Sequence, residues 1–205
     1  HPEANLPRIE LPEEITPGDK EEDSFSQYYS ADVPRDKERK PAAVKLRGEK
    51  VVHEEMHILE AELPVNELHA KAKARGVSIT VYLTAVLLCA IHEEIPKNRQ
   101  KRPIGLMIPV NLRNYFPSQS MTNFFGWIEI SFVFQEDTTF EDVLAAVKEQ
   151  FARELMPEKI AMHMNGYVRI EKHVLVRMVP LELKRYFLMA GANLGSRSIT
   201  AVYSN

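Results

Sequence analysis

The residues best placed to serve chemistry lie where two apolar segments meet a polar loop. Pro109-Val110-Asn111-Leu112-Arg113 closes the first segment, and Asn123-Phe124-Phe125-Gly126-Trp127 opens the second. A strand that ends in Asn and Arg sets polar groups at the rim of a core, where a substrate channel can use them. Asn111 and Asn123 can equally hold loop backbone through Asx-type hydrogen bonds. Gly126 permits close backbone approach within a strand. Phe124, Phe125 and Trp127 can line a channel or simply pack.

Groups that could act as base, nucleophile or metal ligand are scattered. The seven histidines are His1, His53, His57, His69, His92, His163 and His173, and no two are adjacent. His53 and His57 are four apart, but their surroundings read as a strand, which separates the two Cα atoms by about 13 Å. That is too far for one metal without a bend. His69, His163 and His173 fall on predicted helices with no ligand partner at a useful spacing. Cys89 lies inside an apolar run and reads as a packed thiol, while Glu54-Glu55 and Glu93-Glu94 read as solvated. Neither Gly-x-Gly-x-x-Gly nor Gly-Lys-Ser/Thr occurs, so a phosphate-cradling nucleotide loop has no support. No metal site is expected.

The whole-chain properties narrow the field. With 44% hydrophobic residues in 205, the chain can bury a core. A net charge of −3 and a pI near 6.2 argue against a nucleic-acid partner, which needs a basic face. One cysteine allows no internal disulfide and suits a reducing, cytoplasmic compartment. No signal peptide is visible, and a start at His1 rather than Met suggests that the natural N-terminus lies further upstream.

The elements that must position the motif residues follow from periodicity. Residues 1–48 are rich in proline and charge and read as an irregular linker or wrapping arm, with Tyr28 and Tyr29 as anchor points. Met56, Ile58, Leu59, Ala61 and Leu63 suggest a strand that switches face. Pro64 opens a helix to about Arg75, and Gly76 fits the left-handed position that ends it. Ser78 caps a nearly all-apolar helix from Ile79 to Glu94, too short to span a bilayer. Strands follow at about Pro103–Val110 and Phe124–Gln135. In the second, Ile128, Ile130 and Phe132 alternate with Trp127, Glu129 and Ser131. Thr138-Thr139-Phe140-Glu141 reads as a capping box before an amphipathic helix. A further helix runs from Glu158 to Met178, is broken by Pro180, and resumes to about Met189. Gly191 and Gly195 mark a turn, and Ser198–Ser204 forms a last strand. The order βααββααβ predicts an α/β (α+β) two-layer sandwich: a mixed sheet with helices packed on one face. Residues 49–205 are the folded unit, expected to be truncated at both ends.

Pro-Val-Asn-Leu-Arg, a loop, then Asn-Phe-Phe-Gly resembles the C-terminal half of the CoA-dependent acyltransferase superfamily. That group spans chloramphenicol acetyltransferase-like enzymes, condensation domains and, as the nearest likeness, bacterial alcohol acetyltransferase-like proteins. The Gly76–Ala85 helix entry, the helix after Thr139 and Thr200–Asn205 agree, so the likeness covers about Lys50 to Asn205. It implies a two-half molecule with a tunnel between the halves. The other half carries His-His-x-x-x-Asp-Gly, whose second histidine takes the acceptor's proton during attack on an acyl thioester. It implies acyl-CoA or an acyl-carrier thioester as cosubstrate, with no covalently bound cofactor. By the same likeness Arg113 pairs with the aspartate of that motif, and Ser204 stands where a hydroxyl can donate to the oxyanion. This chain has no His-His pair and no Asp-Gly, so no catalytic residue is assigned within it. It is expected to be inert alone.

Two function classes remain. One is the C-terminal half of an acyltransferase acting on a hydroxyl or amine of a small acceptor, supplying tunnel wall and donor surface. The other is a non-catalytic binding or scaffold module of condensation-like half-fold. Either leaves an apolar face for the missing N-terminal half or for self-association, and neither needs a membrane span.

Overall fold

A computed structural model describes residues 21–36, 38–46, 58–172 and 195–204, together with 186, 189 and 191. His1, His53, His57 and His173 lie outside them, as do Met56 and most of the segment from Pro180 to Met189. The described elements are α1 (Ser24–Gln27), α2 (Val65–Ala74), α3 (Ile79–Glu94), β1 (Ile104–Asn111), β2 (Phe125–Phe132), α4 (Phe140–Glu154), α5 (Pro157–Lys172) and β3 (Ala201–Val202). They form the expected α+β sandwich, with five helices around a mixed sheet of strand order β2-β1-β3.

Local chemistry sets most boundaries. Gly76 has φ +65° after α2, and its N–H and that of Val77 close onto Lys73 and Ala72 carbonyls. The Ser78 hydroxyl accepts from the Val81 N–H and starts α3. Ala85 and Leu88 of α3 are buried with Val143 and Val147 of α4 against Leu106, Ile108, Ile128 and Ile130. Among the described residues no single helix is long and apolar enough to cross a membrane; α2 and α3 would reach that length only as a pair bent by 89°.

Two boundaries differ from expectation. The capping box is shifted by one residue: Thr139 is the N-cap, its hydroxyl accepts from the Asp142 N–H at 3.3 Å, and Asp142 Oδ2 accepts from the Thr139 N–H at 2.9 Å. Thr138 instead accepts from the Gln135 N–H and turns the chain before the helix. The strand expected to end at Leu63 is not one in its described part. Residues 58–63 carry no strand, and Ile58, Leu59 and Leu63 are exposed. Their apolar alternation signals a face to be covered, but no neighbouring strand pairs with it among the described residues.

The Asp142 bonds carry a pH signature. Hydrogen bonds from the Thr139 side chain and backbone hold the Asp142 carboxyl below its ordinary range. A group whose folded pKa is lowered contributes stability above its unfolded pKa and loses it as pH falls through the folded value. Thr139→Ala should therefore flatten the acid limb of the stability curve below about pH 4, read as urea midpoint against pH. An unchanged slope would show that the cap does not couple to folding.

β1 is central, and pairs antiparallel with β2 from Ile104↔Phe132 to Asn111↔Phe125. It pairs parallel with β3 only at Leu106↔Ala201 and Met107↔Val202. The expected strand over Ser198–Ser204 is cut short at both ends. Ser196–Ser198 is a 3-10 turn, and Pro109 ends the ladder on the other side. Gly105 and Met107 accept from Thr200 and Tyr203 N–H, so the odd residues of β1 face β3. Pro109 is the next odd residue and has no N–H to offer.

The outer edge of β2 is sealed by side chains. Gln150 of α4 donates to the Ser131 carbonyl at 2.9 Å and accepts its N–H at 3.0 Å. Lys40 donates to the Glu129 carbonyl at 3.4 Å, and the Tyr167 hydroxyl of α5 is hydrogen-bonded to the Trp127 backbone. At Trp127, Glu129 and Ser131 the outward-facing backbone thus meets side chains rather than a strand.

Residues 21–36 and 38–46 lie along this body. Phe25 and Tyr28 pack on Phe124, Ser24 and Ser118 hydroxyls share a 2.6 Å hydrogen bond, and Asn165 accepts from the Ser30 N–H. Lys159 and His163 of α5 both meet Asp36 at 3.2 Å. Further on, Val44 donates to Pro103 and accepts from Thr200 Oγ1.

Candidate functional site

The motif residues converge on the end of the sheet where β1 runs out and β2 begins. Two-residue alternation puts Pro109, Asn111, Phe125 and Trp127 on the sheet face opposite Ile108 and Ile128, and the register sets Asn111 beside Phe125 and Pro109 beside Trp127. Continuing the β1–β3 register by two residues brings Ser204 level with Pro109. Asn111, Asn123, Phe125 and Ser204 are exposed, and Trp127 is half-buried beneath Tyr167, with ring centroids 4.5 Å apart.

Arg113 organises the loop between the two strands. The Asn111 side chain accepts from the Arg113 N–H at 3.1 Å and starts the 3-10 turn Leu112–Asn114. That turn aims the guanidinium back across the loop. Arg113 Nη2 donates to the carbonyls of Ser120 at 2.7 Å and Thr122 at 2.8 Å, and the guanidinium carbon stands 6.0 Å from the Phe124 ring centre. Among the described residues Arg113 makes no ion pair. Charge-assisted bonds to two carbonyls fix the loop but do not neutralise the guanidinium.

The aromatic residues divide. Phe124 is 1% exposed and enclosed by Phe25, Tyr28 and Phe116, so it belongs to the core rather than to a channel wall. Phe125 is 51% exposed. Gly126 sits closely over the core: a Cβ there would lie 3.3 Å from the buried Leu112 side chain, which would have to shift by a few tenths of an ångström.

The same sheet face holds a polar group that strand alternation marked only as mixed. Glu129 accepts from Ser198 Oγ at 2.8 Å, and Lys40 Nζ stands 3.6 Å from its carboxylate. Burial, and then the Glu129 charge, raise the Tyr167 hydroxyl well above the ordinary tyrosine range, against a lowering by its bond to the Trp127 backbone. Lys40, Tyr167 and Ser198 come from distant parts of the chain, so no local spacing could have joined them. Cys89 is half-buried, and burial pushes its thiol pKa up, with Glu93 adding to the effect; it is a poor thiolate. Among the described residues no group of three or more His, Cys, Asp or Glu could hold a metal.

The arrangement offers a rigid rim of amide, guanidinium and aromatic groups, and none of the motif residues is a base or a nucleophile paired with one. Residues 50–178 match the family model described as the phthiocerol/phthiodiolone dimycocerosyl transferase C-terminus. The chain belongs to this family. The match includes β1, the Arg113 loop and β2, and so covers every motif residue except Ser204. The dimycocerosyl transferase C-terminus is an acyltransferase family of the condensation-domain, chloramphenicol acetyltransferase-like class, which agrees with the coarser part of the resemblance read from the motifs. Comparison with curated proteins and with solved structures found no match.

Proposed function

We propose that this chain supplies the C-terminal half of an acyltransferase that moves an acyl group from a thioester, acyl-CoA or an acyl carrier, to a hydroxyl or amine. The reading includes the finer likeness to alcohol acetyltransferases. What supports it is the family match across the segment that holds Asn111, Arg113 and Gly126, together with the want of His-His-x-x-x-Asp-Gly in the chain. In this reading another half brings the base, and Phe125, Trp127 and Asn111 form tunnel wall. Arg113, held by Asn111 and the loop carbonyls, keeps N–H donors beyond Nη2 for an aspartate of the partner half. Ser204 is the candidate oxyanion donor.

The test has two arms. The 205-residue chain, given acyl-CoA and an alcohol acceptor, is expected to show no transfer above buffer; turnover abolished by mutating one of its own histidines would overturn the missing-base argument. In the full-length protein Arg113→Ala should lower both stability, by about 1–3 kcal/mol from the unpaired loop carbonyls, and kcat. Full activity in that variant would remove Arg113 from the site, and an upstream sequence without the histidine motif would favour a non-catalytic module.

A further inference from the structure

Three cations without carboxylate partners among the described residues face one open pocket between residues 29–35 and the 169–172 stretch of α5. The pocket has a volume of about 660 Å³, and Tyr29, Asp32, Arg35, Arg169 and Lys172 supply its side chains. Arg169 Nη2 donates to the carbonyls of Ala31, at 2.9 Å, and Val33. Its Nη1 is buried with no hydrogen-bond partner among the described residues. Lys172 Nζ lies 4.2 Å over the Tyr29 ring. Among the described residues none of Arg35, Arg169 and Lys172 joins an ion pair, whereas Lys159 and His163, about two to three turns before Arg169 on α5, take Asp36.

The charge balance decides what such a pocket holds. Against three cations stands one lining carboxylate, Asp32. A surplus of more than one positive charge remains. The cation–π contact offsets part of the cost of holding Lys172 there but leaves its charge intact. Arg169 is pinned to two carbonyls, so it brings a fixed charge rather than a free-swinging side chain. Arginine and lysine set together suit an anion with several oxygens and more than one charge. The pocket is far too large for a halide alone.

The geometry points to a binding site for a phosphate-bearing small molecule, with Arg35 and Lys172 contacting the phosphate and Arg169 supplying fixed charge behind them. The site does not depend on the acyl-transfer reading. Because residues 29–35 form one wall and α5 the other, a bound phosphate ties the N-terminal segment to the helix.

Pyrophosphate titrated into the 205-residue chain by calorimetry is the test, with inorganic phosphate and acetate as weaker and carboxylate comparisons. Saturable one-to-one binding is expected, strongest for pyrophosphate and weakened by added salt. Arg35→Ala/Lys172→Ala should weaken it by about tenfold or more, since two of three charges are lost. Arg169 is left in place because its carbonyl bonds hold the segment. Lys71→Ala/Lys73→Ala, on the exposed side of α2, should bind as the parent does. Absence of saturable binding, or equal loss in both double variants, would overturn the site. Binding to anionic phospholipid vesicles that pyrophosphate fails to displace would also overturn it, in favour of a surface contact.

Discussion

Gly105→Ala is expected to destabilise the chain by about 3 kcal/mol or more, because the new methyl has nowhere to go. A Cβ at Gly105 would lie 2.0 Å from the Ser198 carbonyl oxygen and 3.1 Å from its carbon. These are backbone atoms, so no rotamer change relieves the clash; the turn Ser196–Ser198 must move. That turn leads into Thr200, whose N–H donates to the Gly105 carbonyl and whose hydroxyl meets both Gly105 N–H and Val44 C=O. One methyl group thus loosens β3 and the 43–45 segment together. For a chain of this length the loss corresponds to a fall in Tm of roughly 6–12 °C. Gly166→Ala is the matched control: it lies inside α5, nothing stands within 4 Å of its would-be Cβ, and alanine there should stabilise by about 0.5–1 kcal/mol. Circular dichroism melts of both variants decide the matter. Equal effects would mean that Ser198 does not sit over Gly105.

Phe124→Ala should cost about 3–5 kcal/mol, while Phe125→Ala should cost less than about 1 kcal/mol. Adjacent in sequence and identical in type, they point to opposite faces of the strand end. Phe124 meets Phe25 edge-on at 5.0 Å, lies parallel to Tyr28 at 6.2 Å, and backs the Arg113 guanidinium. Its removal leaves a cavity beneath both the 117–122 loop and the N-terminal segment. Faster proteolysis near Phe25 should accompany the loss of stability in Phe124→Ala and not in Phe125→Ala. Urea unfolding of the pair is sufficient to judge it: similar midpoints would put Phe124 on the surface and return it to the list of channel candidates.

Helices and paired strands were legible because their signals are local. Gly76 needs positive φ, Ser78 caps, and the alternation from Trp127 to Phe132 assigns the two faces of β2 correctly. The capping box slipped by one residue because Thr138 and Thr139 are both able caps, and Asp142 competes with Glu141 for the reciprocal role. Non-local features stayed hidden. Nothing in Ser198 announces that its carbonyl covers Gly105, and nothing in Lys40 or Gln150 announces that it occupies a strand edge. Composition marked residues 1–48 as polar and irregular, yet Phe25 within them is seated on Phe124, a contact that spans 99 residues of sequence. At the site, the motif gave Arg113 and Asn111 but not their partners, since Ser120 and Thr122 contribute carbonyls that carry no side-chain signature.

The side chains along the outside of β2 also govern how copies of this chain can meet. A sheet with two bare margins can add neighbours at both, and such growth has no end. Here Gln150, Lys40 and Tyr167 occupy one margin, while on the opposite side Val202 lies exposed. Among the described residues, it is the β2 margin that is held against the addition of a further strand. Gln150→Ala, by uncovering both backbone groups of Ser131, is the substitution that would open that margin to strand addition.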